Sequence, residues 1–442
     1  MCLKHKSEKV YLNFTGGKEM KKLIAMLLAA AMVLSLAACS QAEPAAQEAE
    51  APKAQGEKVT LYIYQQDIDA PDAWHELMDK YMAENPNVTL ELMDSQENYF
   101  ATVLATGDCP DIINPAMSEQ SRAMIDAGLI YDVSGTEVYK HMGQFYKDAE
   151  TYNGVCLGIP QGAAFTAMFY NMAILEECGW TAVPRDADEF LKMCADVTAK
   201  GYDAITFAGG NTTCCFMPFE CVFPEYAGMS AADYEAKFKD GSIDFNNAAA
   251  AEFFDKFAAF VMPGTTANTE DDVVSAMATG EVACCIAGNW SSGNLVPAIE
   301  SIAGEGKCMC SLVPFQKAGN PMWTSVSPES TVGMSAKTEN LEARLAFFEW
   351  LWKPENYQIL AKARGVVPVT DDMTEEYIRL DAPIAAIVAD VSAAPSVSMG
   401  FNLWSGEAET IMTTALNDLY AGNANAADCL AQMTEAVKAS HL

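Results

Sequence analysis

Val59-Thr60-Leu61-Tyr62-Ile63-Tyr64, then Pro71-Asp72-Ala73-Trp74-His75-Glu76-Leu77-Met78-Asp79-Lys80-Tyr81-Met82, then Val88-Thr89-Leu90-Glu91-Leu92 are successive runs whose periods alternate. In the first, Val59, Leu61 and Ile63 alternate with Thr60, Tyr62 and Tyr64, the two-residue period of a strand. In the second, Trp74, Leu77, Met78, Tyr81 and Met82 recur at helical spacing behind Pro71, which suits a first helical turn because no N–H is needed there. Asn85-Pro86-Asn87 stops that helix, and Val88, Leu90 and Leu92 alternate as a second strand. Outward from there, Tyr99, Phe100, Val103 and Leu104 form another helical stripe ending at Gly107, and Ile112-Ile113 begins a third strand. Strand and helix in alternation predict an α/β architecture on a largely parallel sheet.

From about Gly162 to Ser327 the alternation continues with more helix, Phe253, Phe254, Phe257 and Val261 lining one helix face. The last third reads as helical, with stripes at Leu341, Leu345, Phe348 and Trp352, at Ile411, Met412, Ala415 and Leu419, and at Leu430, Met433 and Val437. No internal repeat of solenoid or propeller length is visible. A folded part from about Lys58 to Leu442 is too long for one ordinary core and predicts two lobes.

The N-terminal end carries a different signal. Met20-Lys21-Lys22 opens an apolar run from Leu23 to Ala38, and Leu36-Ala37-Ala38 stands directly before Cys39. A charged start, an apolar stretch and small residues at a cleavage point are a secretory signal, and the run is shorter than the roughly 20 apolar residues a membrane span needs. The cysteine behind it resembles the lipobox of bacterial lipoproteins, which implies lipidation of Cys39 and an anchor on the extracellular face of the cytoplasmic membrane. Residues 1–39 are thus expected to be a signal segment. Gly16-Gly17-Lys18-Glu19 can be encoded by a purine-rich ribosome-binding stretch, so Met20 is the expected start and residues 1–19 are expected not to be translated. Residues 40–57, rich in Ala, Glu, Gln and Pro and free of aromatics, are expected to be a disordered tether.

The net charge is −33, and residues 1–38 carry six Lys and two acids, so the chain from Cys39 onward stands near −37. Such a field disfavours nucleic acid, anionic lipid and polyanionic substrates and leaves neutral or cationic ligands open. Fourteen cysteines in an exported chain raise the question of disulfides, but Cys214-Cys215 and Cys284-Cys285 are adjacent and most others have apolar neighbours. They read as small buried hydrophobes. Cys308-Met309-Cys310 lacks the histidine or second pair of a zinc site, and Asp67-Ile68-Asp69 lacks the glycine and spaced carboxylates of a calcium loop, so no metal and no cofactor are expected. There is no Gly-x-Ser-x-Gly, no His-Glu-x-x-His and no phosphate loop, and His141, one of four histidines, has no partner visible in the sequence. Catalysis is therefore not expected, although a glycosidase needs only two suitably placed carboxylates.

Four strings, in this order and spacing, carry a resemblance: Tyr81 with Asn85-Pro86-Asn87-Val88; Ala105-Thr106-Gly107-Asp108-Cys109-Pro110-Asp111-Ile112-Ile113; Asn153-Gly154, Leu157-Gly158-Ile159-Pro160, Tyr170-Asn171 and Gly179-Trp180; and Thr279-Gly280-Glu281-Val282-Ala283 with Gly288-Asn289-Trp290. Ser335-Ala336-Lys337 and Gly365-Val366-Val367-Pro368-Val369 extend it. The chain resembles the extracellular solute-binding proteins of ABC importers, the family that includes maltose-binding protein. The resemblance implies the two-lobed α/β fold of periplasmic binding proteins, hinged lobes with the ligand cleft between them. Carried over, lobe one is residues 58–161 plus 328–372, lobe two is 162–327, and the helices of 373–442 pack mainly on lobe two. It also implies a monomer that binds a small molecule, delivers it to the transmembrane subunits of a permease, touches the membrane through Cys39 and binds no nucleic acid.

A sugar site needs apolar faces for pyranose C–H groups, ringed by hydrogen-bonding side chains. Trp290 matches the position of a sugar-stacking tryptophan in the family, and Trp404 lies in the loop before a helix that carries another aromatic binder. Trp323 and Phe165 are further aromatic candidates, Phe165 because it follows Pro160-Gln161-Gly162. For the polar ring, ligands of open α/β sheets sit beyond strand ends. That points to Gln65, Gln66 and Asp67 after the first strand, Asn114 and Ser118 after the third, and Gln161, Asn289 and Glu329. Asp111 reads as structural, fixing the turn before its strand. The expected function is a receptor for a neutral sugar or oligosaccharide; a surface glycosidase or lyase, and a polyamine, peptide or metal-complex receptor, stay open.

Overall fold

The three opening runs fold as their periods dictate. In the computed structural model Val59–Tyr64 is β1, Pro71–Glu84 is α1, Val88–Met93 is β2, Tyr99–Thr106 is α2, Ile112–Ile113 is β3 and Glu119–Asp126 is α3. The structure describes residues 58–65, 70–94, 96, 98–364, 366–373, 380–400, 403 and 406–440, all within the unit Gly56–Leu442. The signal segment, Cys39 and the tether lie outside the described residues, as do Gln66, Asp67 and Trp404. Gly107 ends α2 at φ 73°, a left-handed cap that glycine adopts without steric cost.

Beyond α3 come β4 (Ile159–Asn171), α4 (Ala187–Ala199), β5 (Asp203–Phe207), α5 (Thr212–Glu220), α6 (Ala231–Lys239), α7 (Ala248–Ala258), α8 (Glu270–Ala278), β6 (Val282–Gly288), α9 (Ser292–Ala303), β7 (Cys308–Ser311) and β8 (Thr324–Met334). The chain then runs through α10 (Leu341–Leu351), α11 (Pro354–Arg364), β9 (Ser396–Ser398), α12 (Gly406–Tyr420) and α13 (Ala426–Ser440). The sheet order is β2-β1-β3-β8-β4-β6-β5, with β9 beside β8 and β7 beside β4. The first three strands are parallel, as their alternation with helices predicts, but β8 runs antiparallel to both β3 and β4. The sheet is therefore mixed. The long antiparallel pair β4–β8, with Val326 opposite Phe165 and Val332 opposite Ile159, links the β1 side of the sheet to the β6 side.

Side chains of successive residues leave opposite faces of a strand, and here each face has its own core. Leu61, Ile63 and Ile112 join one cluster with Trp74 and Leu77 of α1 and Phe347, Phe348 and Leu351 of α10. Tyr64 and Ile113 join another with Phe100 and Val103 of α2 and Met124 and Ile125 of α3. A third, larger cluster gathers β4 from Phe165 onward, β5, β6 and the helices through α13. Of the expected α10 stripe, Phe348 and Trp352 are buried and Leu341 and Leu345 only half-buried, and the helix buries Arg344, Phe347 and Leu351 as well.

Arg344 is fully buried and meets Asp111, its Nη1 donating to Oδ1 at 3.0 Å. The other carboxylate oxygen of Asp111 accepts from the backbone N–H of Tyr62 at 2.9 Å, and Arg344 Nη2 donates to the carbonyl of Lys337. The acid before β3 thus secures a β1 N–H and closes the α10 turn. The twelve described cysteines are free thiols, all but Cys178 buried. His141 does have a partner, Asp371, whose Oδ1 lies 2.8 Å from its Nδ1.

Candidate functional site

The turn after β6 is built around a glycine. A Cβ on Gly288 would lie 2.2 Å from the Trp290 ring, so only glycine lets the indole fold back over its own strand end. Asn289 fastens the same turn to β4, its Oδ1 accepting from the N–H of Phe165 at 2.7 Å and its Nδ2 donating to the carbonyl of Ala163 at 3.0 Å. Trp290 is half-buried and donates its Nε1–H to Glu270 at 2.8 Å; the Ser291 hydroxyl donates to the same oxygen at 2.8 Å. Glu270 is held there because α8 starts with a capping box between Thr269 and Asp272, fixing the first turn. Gly288→Ala is expected to expel the indole and destabilise the chain by about 1–3 kcal/mol, as overpacking does. Red-shifted tryptophan emission with a lowered unfolding midpoint checks this, and an unchanged spectrum would refute it.

Trp290 and Glu270 border a cavity of about 550 Å³ that also takes in Asn294, Glu329 and Arg364. Arg364, the last residue of α11, donates from Nη2 to Glu329 Oε1 at 2.6 Å and from Nη1 to Gln161 Oε1 at 3.0 Å. It joins β8 to β4 at the point where Glu329 stands opposite Gly162. Fixed carboxylates beside a partly open indole offer hydrogen-bond acceptors around an apolar ring face, an arrangement suited to hydroxyl-bearing ligands.

A second cavity, of about 540 Å³, borders Ser327, Pro328, Ser330 and Thr331 of the same strand, together with Glu150 and Tyr152. Glu150 is almost wholly buried, and burial pushes its carboxyl up to about 8.

The other expected site residues divide. Trp290 and Glu329 line the first cavity, and Gln161 reaches it only through Arg364. Asn289 is spent on the backbone through both amide atoms and offers neither to a ligand, and the Asn114 amide nitrogen donates to the carbonyl of Thr331 at 2.8 Å. Ser118 caps α3, accepting from the N–H of Ser121. Gln65 is buried with neither amide atom partnered. Phe165 and Trp323 are core residues; Phe165 borders a different cavity of about 350 Å³ with Val367 and Tyr146. Apolar rings on β4 and just before β8 are drawn into the third cluster, which explains both.

Glu270, Arg364 and Glu150 escaped the sequence reading. The Thr269-x-x-Asp272 capping pattern could have placed Glu270 on a helix start; Arg364 and Glu150 carry no comparable signal.

Residues 76–388 match a family described as bacterial extracellular solute-binding protein. The multiple sugar-binding protein of Streptococcus mutans is 21% identical over 326 residues, 72% of this chain and 74% of that one. RafE of Streptococcus pneumoniae, solved without ligand, superposes with a TM-score of 0.73 at 19% identity, covering 88% of this chain and all of the other. A sugar transporter protein of Bacillus licheniformis, solved in complex with stachyose, gives 0.64 at 14% identity over 85% and 98% of the two chains. The fold is the two-lobed one these structures share.

Proposed function

Since the chain belongs to the bacterial extracellular solute-binding proteins, we propose that it is the receptor of an ABC importer, anchored by lipid on Cys39, that takes up a neutral sugar or oligosaccharide and passes it to the permease. The observation that carries the ligand class is the Trp290 indole, set by Gly288 and Glu270 on the wall of the 550 Å³ cavity. RafE solved with raffinose and the Bacillus licheniformis protein with stachyose support the same class. In this reading the lobes are residues 58–161 with 328–372 and residues 162–327 with 373–442, and a ligand touching both stabilises the closed form.

Thermal melting against saccharides, polyamines and peptides tests it. A sugar at 100 times its dissociation constant adds about 2.7 kcal/mol, and an upward shift without turnover is the expected result. Trp290→Ala is expected to weaken that sugar on the order of tenfold to a hundredfold, the loss of an aromatic anchor. A shift with polyamines alone would instead assign the cavity carboxylates Glu270, Asp271 and Glu329 to a cationic ligand.

A further inference from the structure

A buried polar network lies where β4 and β8 run side by side into the third cluster, and the sugar contacts proposed above make no use of it. Thr166 of β4 and Ser325 of β8 share a hydrogen bond of 2.7 Å between their hydroxyls, and neither has exposed surface. Glu220, the last residue of α5, is almost wholly buried; its Oε1 accepts the N–H of Gly400, and its Oε2 has no hydrogen-bond partner. Met399 donates its N–H to the carbonyl of Val326 on β8 at 2.9 Å. Ser398 gives its N–H and its hydroxyl to Oε1 of Glu235 on α6, at 2.9 and 2.8 Å. Three successive residues are thus fastened to three different elements. Beyond them the Leu403 N–H donates to the Gly400 carbonyl at 2.7 Å, and Ser398 and Leu403, on either side of Gly400, both line the second cavity.

A buried acid that only filled space would be replaceable by an apolar side chain at little cost, so this one calls for a use. It is also the member of the network that changes charge near neutrality. Burial pushes the Glu220 carboxyl up to about 8, against the hydrogen bonds from Gly400 and Ser325 that favour its ionised form. Burial likewise drives the Tyr234 hydroxyl of α6 and the Tyr420 hydroxyl of α12 well above the ordinary tyrosine value. It raises the thiols of Cys214, Cys215 and Cys221 far enough that they too stay neutral. On α6 the charges of Glu235 and Lys239 face one another at 3.7 Å, and the stretches 324–327 and 396–400 contain no ionisable side chain.

We propose that Glu220 is a positioning residue for ligand binding: it touches no ligand, but by holding the Gly400 N–H it sets Ser398 and Leu403 on the cavity wall. The inference rests on the carbohydrate reading above. The protonated acid is the form that holds the wall in place. Once ionised, a carboxylate at this depth draws water to Oε2, and that water enters at the expense of the packing around Gly400. Affinity is therefore full below about 8 and falls as the pH rises through that value.

The test is titration calorimetry of the detergent-purified full chain at pH 6.5, 7.5 and 9 with raffinose, xylotetraose and chitotetraose. For the sugar it binds, wild type is expected to lose about tenfold in affinity from pH 6.5 to 9. Glu220→Gln, which is neutral and keeps an acceptor for the Gly400 N–H, is expected to hold its affinity across the range. Glu220→Leu is expected to bind about tenfold more weakly already at pH 6.5, the loss of one buried hydrogen bond. Unfolding at high pH would lower the stoichiometry rather than raise the dissociation constant, which separates positioning from mere stability. Glu150, the other buried acid, borders the same cavity and is unaltered in these chains, so a decline of its making would survive in Glu220→Gln. Survival of the decline in Glu220→Gln, or its absence from wild type, would overturn the role of Glu220 and leave the receptor reading in place. If Glu220→Leu does not fold, the wild-type and Gln profiles still decide the matter. Failure of wild type to bind any of the three sugars would overturn the carbohydrate reading and this one together.

Discussion

Asp111→Ala is expected to destabilise the fold by about 3–5 kcal/mol, the usual cost of removing one partner from a buried ion pair. Arg344 has no exposed surface, so its charge would remain in the interior without its carboxylate. The backbone N–H of Tyr62 would lose its acceptor as well. The charge need not be conserved for the fold to stand: Asp111→Ala combined with Arg344→Met removes both charges and is expected to recover most of the loss. Urea denaturation of wild type, single and double variants measures this through the midpoint at constant slope. Equal destabilisation by the single and the double change would show that the pair is not what holds β1 and α10 together.

The second large effect concerns pH. Glu150 and Glu220 are both buried, and burial raises each carboxyl from its ordinary value near 4.5 to about 8. In the unfolded chain both ionise near 4.5, so between that value and about 8 the folded state holds protons that the unfolded state has released. The stability these two acids contribute therefore falls as pH rises through this window, approaching a tenfold drop in the folded-to-unfolded ratio per pH unit for each acid, and their own effect is complete above it. Acids such as Asp132, Asp244 and Asp272, held low by hydrogen bonds, act oppositely: their stabilisation is present above the unfolded value and is lost as pH falls through the folded one. The optimum is expected near pH 5. Denaturation midpoints at pH 5, 7 and 8.5 test it, and Glu150→Gln with Glu220→Gln is expected to flatten the decline; a midpoint that rises from pH 5 to 8.5 would contradict it.

The parts of the fold legible in the sequence are those where local period and core agree. β1, α1, β2 and α2 were readable nearly to the residue because each alternation or helical stripe faces a core of its own. β4 was not: Gly162, Ala163 and Ala164 have little strand preference, and they are extended because β8 lies alongside. The site shows the same division. Trp290 was singled out through the resemblance of Gly288-Asn289-Trp290 to the family's string, and the structure gives that string a local reason, the close approach of the indole to Gly288. Asn289 and Asn114 look like free loop amides until the fold brings the Phe165 N–H and the Thr331 carbonyl against them from 124 and 217 positions away. Arg364 and Glu150 take their roles from β8, which the sequence places far from one and on no visible pattern with the other.

The pairing of β3 with β8 also sets a timetable. The edge of Ile112-Ile113 is occupied by Gly333 and Met334, so during synthesis it stays open until the ribosome has passed residue 334. The core containing Leu61 and Ile63 likewise draws on Val332 and on residues as late as Val369. Closing so long a loop is entropically slow, and local helices can form well before these contacts reward them. The first segment to be made is thus among the last to be finished, and a chain cut short before β8 would retain the β1, β2 and β3 sequences without the strand that completes their sheet.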